Sequence, residues 1–246
     1  MSEKGLRILR DERSLLMASL ALATVVSWLY LIRMAGGMSA MPADSGFRAW
    51  PTFIMWAVMM IGMMVPTAMP GILTLAAAER RMRAARAPTV AYLIAIGYVL
   101  AWTAFSVGAT AAQWVLHELA LLSAAQSLND PTLAGGLLVV AGAFQLTPVK
   151  HACLRYCRSP LGLLVEGFPS CPGSAVSVGM RLGLYCVGCC WALMALMFAG
   201  GVMSLFWMAL LTFVILLEKV VANWHGFSNL LAAGLVVYGV WLMLGA

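Results

Sequence analysis

From residue 14 onward the chain alternates between long apolar runs and short polar stretches rich in arginine. A helix needs about 20 mostly apolar residues to cross the hydrocarbon core of a bilayer. Runs at 14–32, 50–76, 89–115, 131–149, 182–199, 202–217 and 226–244 approach or exceed that length. No charge falls between Arg181 and Glu218, and one straight helix over that stretch would reach about 54 Å. A core of about 30 Å cannot hold it. The Gly200-Gly201 pair near its middle predicts a tight turn and two short spans. The pattern therefore predicts an all-α, polytopic transmembrane bundle of seven helices, or six if that stretch is one span. The whole of 1–246 reads as a single transmembrane domain, and the first run, which ends in "LYLIRMAGG", reads as an anchor rather than a cleaved signal.

Charge orients this bundle. With the N-terminus in the cytoplasm, one side carries Lys4, Arg7, Arg10 and Arg13, then Arg80, Arg81, Arg83 and Arg86, then Lys150, Arg155, Arg158, Arg181 and finally Lys219. Thirteen of the fifteen basic residues then lie inside, and only Arg33 and Arg48 lie outside. Such an excess is what the positive-inside rule demands of cytoplasmic loops. The seven-helix reading puts the C-terminus outside. Composition agrees: 63% of residues are hydrophobic and 10% charged, against about 25% charged in a soluble domain. The net charge of +6 sits at the ends of apolar spans, so it points to a lipid bilayer as partner and not to nucleic acid.

The second run holds "MWAVMMIGMMVPTAMPGIL". Pro66 and Pro70 predict a kinked or broken helix, which a membrane tolerates where freed carbonyls meet protein or a cavity. Met55, Met59 and Met63 recur every four residues, with Met60 and Met64 on a neighbouring stripe. Thioethers are flexible packing material, and they are also soft ligands that suit Cu(I). Both readings stand, with Met59 and Met63 as candidate ligands.

Cysteines carry the rest of the chemistry. In "QLTPVKHACLRYCRSP", Pro148 marks a break, and Cys153 and Cys157 share one face of a short helix at i, i+4. Lys150, His151, Arg155 and Arg158 surround them in sequence. Cations near a thiol favour the thiolate, the form that binds metal, although a basic segment beside a membrane also holds lipid phosphates. In "LGLYCVGCCW", Cys186, Cys189 and Cys190 again share one side of a helix. Counted from Arg181, they fall roughly 7–13 Å into the cytoplasmic half of the bilayer. Both clusters then lie on one side and can converge. The cytoplasm is reducing, so structural disulfides are not expected there. Thiolates and thioethers with few imidazoles select Cu(I), with Zn(II) as the alternative if four thiolates gather. Cys171 reads as a loop cysteine. Glu218 and Lys219 read as interfacial anchors and Gln145 as a bond to a neighbouring helix. The tryptophans, Trp50, Trp56, Trp102, Trp114, Trp224 and Trp241 among them, read mostly as an aromatic belt. No nucleotide loop, zinc-protease motif or catalytic triad is present, so nothing supports an enzyme.

"MWAVMMIGMMVPTAMP", "QLTPVKHACLRYCRSP" and "GLYCVGCCWALM" together resemble the bacterial DUF2182 membrane proteins, over roughly residues 50–220. The resemblance implies a metal-binding, multi-pass protein of the bacterial inner (cytoplasmic) membrane. It places Cys153, Cys157, Cys186, Cys189 and Cys190 at the motif positions. Three functions follow from the sequence: Cu(I) handling or transport, a structural or assembly subunit of a larger membrane complex, and thiol redox chemistry at Cys189-Cys190. Adjacent cysteines form strained disulfides, which puts the third last.

Overall fold

A computed structural model of the chain describes residues 3–38, 47–82, 87–123, 126–165, 172–221 and 224–245. Arg83, Arg86 and Cys171 lie outside them. The helices are α1 (Glu3–Met38), α2 (Ala49–Met82), α3 (Ala87–Glu118), α4 (Pro131–Gln145), α5 (Pro148–Arg158), α6 (Gly162–Val165), α7 (Pro172–Ala195), α8 (Met197–Gly200), α9 (Leu205–Val220) and α10 (Trp224–Leu244). Helices α6 and α8 are single turns of four residues. Eight longer helices remain among the described residues, where the sequence predicted seven.

Five of them are long and apolar enough to cross a membrane: Ser14–Gly36, Ala49–Ala78, Thr89–Glu118, Gly173–Gly200 and His225–Leu244. The bent pair α4–α5 makes a sixth if counted as one span. The prediction of seven spans is thus corrected to five or six. The predicted run 202–217 does form α9, but its 16 residues reach only about 24 Å. The run 131–149 stops early because Pro148 cannot continue α4. Thr147 turns extended, caps α5 by accepting from the Lys150 amide at 3.3 Å, and leaves Pro148 at the first helical position. The two segments meet at 66°.

The predicted turn at Gly200-Gly201 is present. Gly201 has φ of 93°, a left-handed value that favours glycine. Ser204 then caps α9 by accepting from the Trp207 amide at 3.3 Å. This turn is tied to the loop after α3, through Leu128 N to Phe198 O at 2.8 Å and Val202 N to Gln126 O at 3.3 Å. Both therefore lie at one end of the bundle.

Close helix approach at glycines positions the site. A Cβ on Gly97 of α3 would collide with the Val176 carbonyl, and one on Gly179 of α7 with the Ile94 carbonyl. Bare backbones let α3 and α7 pack at this distance. Gly135 of α4 and Gly239 of α10 pair in the same way, each Cβ falling within 2.6 Å of the other's carbonyl oxygen. Helix α2 is not distorted at random by its prolines. Pro66 has no N–H to offer the Gly62 carbonyl, and Trp28 Nε1 of α1 donates to it instead at 3.1 Å. Trp56 and Trp102, expected in an aromatic belt, are each 1% exposed and belong to the core. Trp50, Trp114 and Trp241 are exposed as a belt requires.

Candidate metal centre

Cys186 and Cys189 project from the middle of α7, and α5 lies across them. Tyr156 of α5 stacks on Tyr185 of α7 with ring centres 4.3 Å apart, which fixes the register between the two helices. Cys157 of α5 then points at the α7 pair. The Sγ atoms of Cys157, Cys186 and Cys189 all lie within 4.8 Å of one another, and Cys157 Sγ is 3.8 Å from Cys189 Sγ. All three are free thiols, with Cys186 and Cys189 buried and Cys157 half-buried.

The start of the cysteine helix differs from the sequence expectation. Helix α7 begins at Pro172 rather than after Arg181, because nothing in "PGSAVSVGMR" breaks it once Pro172 has started it. Cys186 is then the midpoint of the span Gly173–Gly200, about 20 Å from either end.

Two further polar groups come from other helices. Tyr98 of α3 places Oη 3.1 Å from Cys186 Sγ and 3.1 Å from the Met64 carbonyl of α2. Lys219 of α9 donates to Cys186 Sγ at 3.2 Å and to Thr67 Oγ1 of α2 at 2.8 Å. An ammonium at a sulfur offsets the charge of a thiolate, and inside a membrane that compensation is worth much more than in water. Thr67 in turn donates to the Met64 carbonyl at 2.9 Å. Five helices thus converge on one sulfur cluster.

The basic residues of α5 do not supply the cation, contrary to the sequence expectation. Lys150 is 0% exposed and faces away from the thiols, paired with Glu218 Oε1 at 2.6 Å and hydrogen-bonded to Gln145. Arg158 donates to the Glu218 carbonyl at 2.7 Å, and His151 stacks on His225 with ring centres 5.0 Å apart. Glu218 and Lys219 are therefore not interfacial anchors. They are successive residues of α9 that point into two separate polar clusters. Gln145 does bond a neighbouring helix, since its carbonyl accepts from Ser228 of α10 at 3.3 Å.

The remaining candidates lie around the cluster. Cys153 occupies space left by Gly188, where a Cβ would meet Cys153 Sγ at 2.9 Å. Cys190 Sγ donates to the Cys186 carbonyl at 2.8 Å, and Cys189 Sγ donates to the same oxygen at 3.1 Å. Met59 and Met63 are 0% exposed on α2, on the stretch leading away from Thr67. Sequence reasoning missed Tyr98 and misread Lys219. A tyrosine inside the apolar run "IGYVLAW" was the available signal, because a buried hydroxyl needs a partner.

The fold and this cluster define a helical membrane protein with a largely buried group of three thiols, beside a lysine, that could hold a metal ion. Residues 53–242 match the family described as PpoB2, copper chaperone. The chain belongs to that family, so the copper-related part of the sequence reading holds, while the DUF2182 resemblance rests on the motifs alone. Zinc finds no support, for three thiols group here and His151 is engaged elsewhere. Neither the curated proteins nor the solved structures include a match to this chain.

Proposed function

We propose that the protein handles Cu(I) within the bacterial inner membrane, holding the ion on the sulfurs of Cys157, Cys186 and Cys189 and passing it onward. The N-terminus lies in the cytoplasm in this reading, as the arginine distribution favours. The observation that carries the proposal is the convergence of these three sulfurs beside the Lys219 ammonium. Cu(I) is satisfied by two or three soft ligands, a number three cysteines can meet. Two thiolates, one monovalent ion and one ammonium sum to zero charge, which a low-dielectric site requires. The third sulfur then joins as a neutral thiol or takes part in exchange. Ligand exchange between three close sulfurs lets a bound ion be acquired and released without ever being bare.

Metal content tests this directly. After anaerobic Cu(I) loading, the wild-type chain is expected to carry about one tightly held copper, and the Cys186→Ser/Cys189→Ser protein none. Equal, negligible copper in both proteins refutes the proposal and leaves the subunit role as the better account.

A further inference from the structure

The sulfur of this chain does not end at the cysteines. On α7, Cys186, Cys190 and Met194 recur every four residues on one stripe, and Met197 follows in α8 after the turn at Leu196. Each is at most 1% exposed. On α2, the face of Thr67 is shared by Met64, Met63 and Met60, three, four and seven residues away, with Met59 at its edge. All four methionines are 0% exposed, and they join Met194 and Met197 in one contiguous buried cluster.

Two contacts link the ends of these stripes. At one end Tyr98 bridges Met64 of α2 and Cys186 of α7. At the other, Trp56 of α2 packs on Phe198 of α8 with ring centres 5.5 Å apart. The methionines occupy the interval between these anchors, about 12 Å of α2 and about 18 Å from α7 into α8. Beyond Trp56 the character changes. Its Nε1 donates to Gln113 at 2.6 Å, and Gln113 donates to Gln126 at 2.9 Å, in the loop tied to the α8 turn.

We propose that this column is a second Cu(I)-binding tract, in which thioethers of α2, α7 and α8 lead from the cysteine centre to the Trp56–Gln113–Gln126 end of the bundle. It rests on the Cu(I) reading of the cysteines and names the route the ion takes from them. Thioethers are neutral, soft ligands, so an ion entering the column meets sulfur without adding charge that the membrane interior would penalise. They bind more weakly than thiolates, which suits transit rather than storage. Leucine or isoleucine would fill the same space, so the concentration of sulfur on two buried stripes linked at both ends, one of them carrying the ligand Cys186, is what distinguishes a tract from packing.

The test is methionine-methyl NMR of the full chain in lipid nanodiscs, with [methyl-13C]methionine, titrated anaerobically with a Cu(I)–acetonitrile complex. The first equivalent is expected at the cysteines. Further equivalents are expected to shift methyl resonances that disappear in the Met60→Leu/Met63→Leu/Met194→Leu/Met197→Leu protein. That variant should keep the first equivalent and lose the later ones, and the milder Met194→Leu/Met197→Leu protein should lose part of them. Leucine conserves volume, so the core should remain packed. Unmoved methyl resonances at saturation, or equal stoichiometry in wild type and both variants, overturn the tract. The same titration of the Cys157→Ser/Cys186→Ser protein separates the two ideas. Methyl shifts that survive there support the tract even if no copper binds at the cysteines.

Discussion

Lys219 shows how much one residue's setting decides. In sequence it stands beside Glu218 at the end of an apolar run and looks like half of an interfacial pair. In the structure it reaches the Cys186 sulfur and is held there by Thr67. If its charge balances the thiolates, Lys219→Met should weaken Cu(I) binding about 10–100-fold, the range typical of groups that support metal ligands. Lys219→Arg should restore most of the loss. Competition against a Cu(I) chelator reads both, and equal affinities in all three proteins would assign Lys219 to packing. Tyr98 calls for a similar comparison. Tyr98→Phe removes the only hydroxyl described at Cys186 while keeping the ring in the core, so it should weaken copper binding without unfolding the bundle. Thermal unfolding alongside the titration distinguishes the two effects.

Single helices were largely legible, and the contacts between them were not. The apolar runs located every long helix, and Gly200-Gly201 located the turn before α9. Pro148 located the break before α5, but nothing in a one-dimensional pattern told that α5 turns 66° from α4 and lies against α7. That bend brings Cys157 to Cys186 and Cys189 and sends Lys150 to Glu218. The same limitation explains the error over the basic residues. Proximity in sequence suggested that Lys150 and Arg158 serve the thiols, whereas helix phase turns them toward α9. The Lys150–Glu218 pair has a direct consequence for stability. Removing one member of a buried pair leaves an uncompensated charge, which costs about 3–5 kcal/mol. Glu218→Gln should therefore lower thermal stability in detergent by that order, while Lys150→Met/Glu218→Leu should recover most of it. A fully stable Glu218→Gln protein would mean that the pair contributes nothing. Gly179→Ala acts between elements. Its methyl group must push α7 away from the Ile94 carbonyl, at a cost of roughly 1–3 kcal/mol for overpacking, and it should also part Tyr98 from Cys186.

Across the whole molecule, the membrane class was evident from composition alone, while the number of spans and the start of α7 were not. Spans were counted by apolar length, yet α4 is broken by Pro148 and α9 ends at about 24 Å. The fifth run was started after Arg181, although α7 starts nine residues earlier. With both corrected, the molecule gathers α2, α3, α5, α7 and α9 around a thiol centre halfway along the most buried of the candidate spans. The central claim is that sulfurs from α5 and α7 hold one copper ion together. Copper K-edge absorption of the Cu(I)-loaded protein, compared with Cys157→Ser, tests it most directly. The account predicts a first shell of about two to three sulfurs, with one fewer or a marked loss of bound copper when Cys157 is replaced. A shell of nitrogen or oxygen atoms, or a spectrum unchanged by Cys157→Ser, would contradict it.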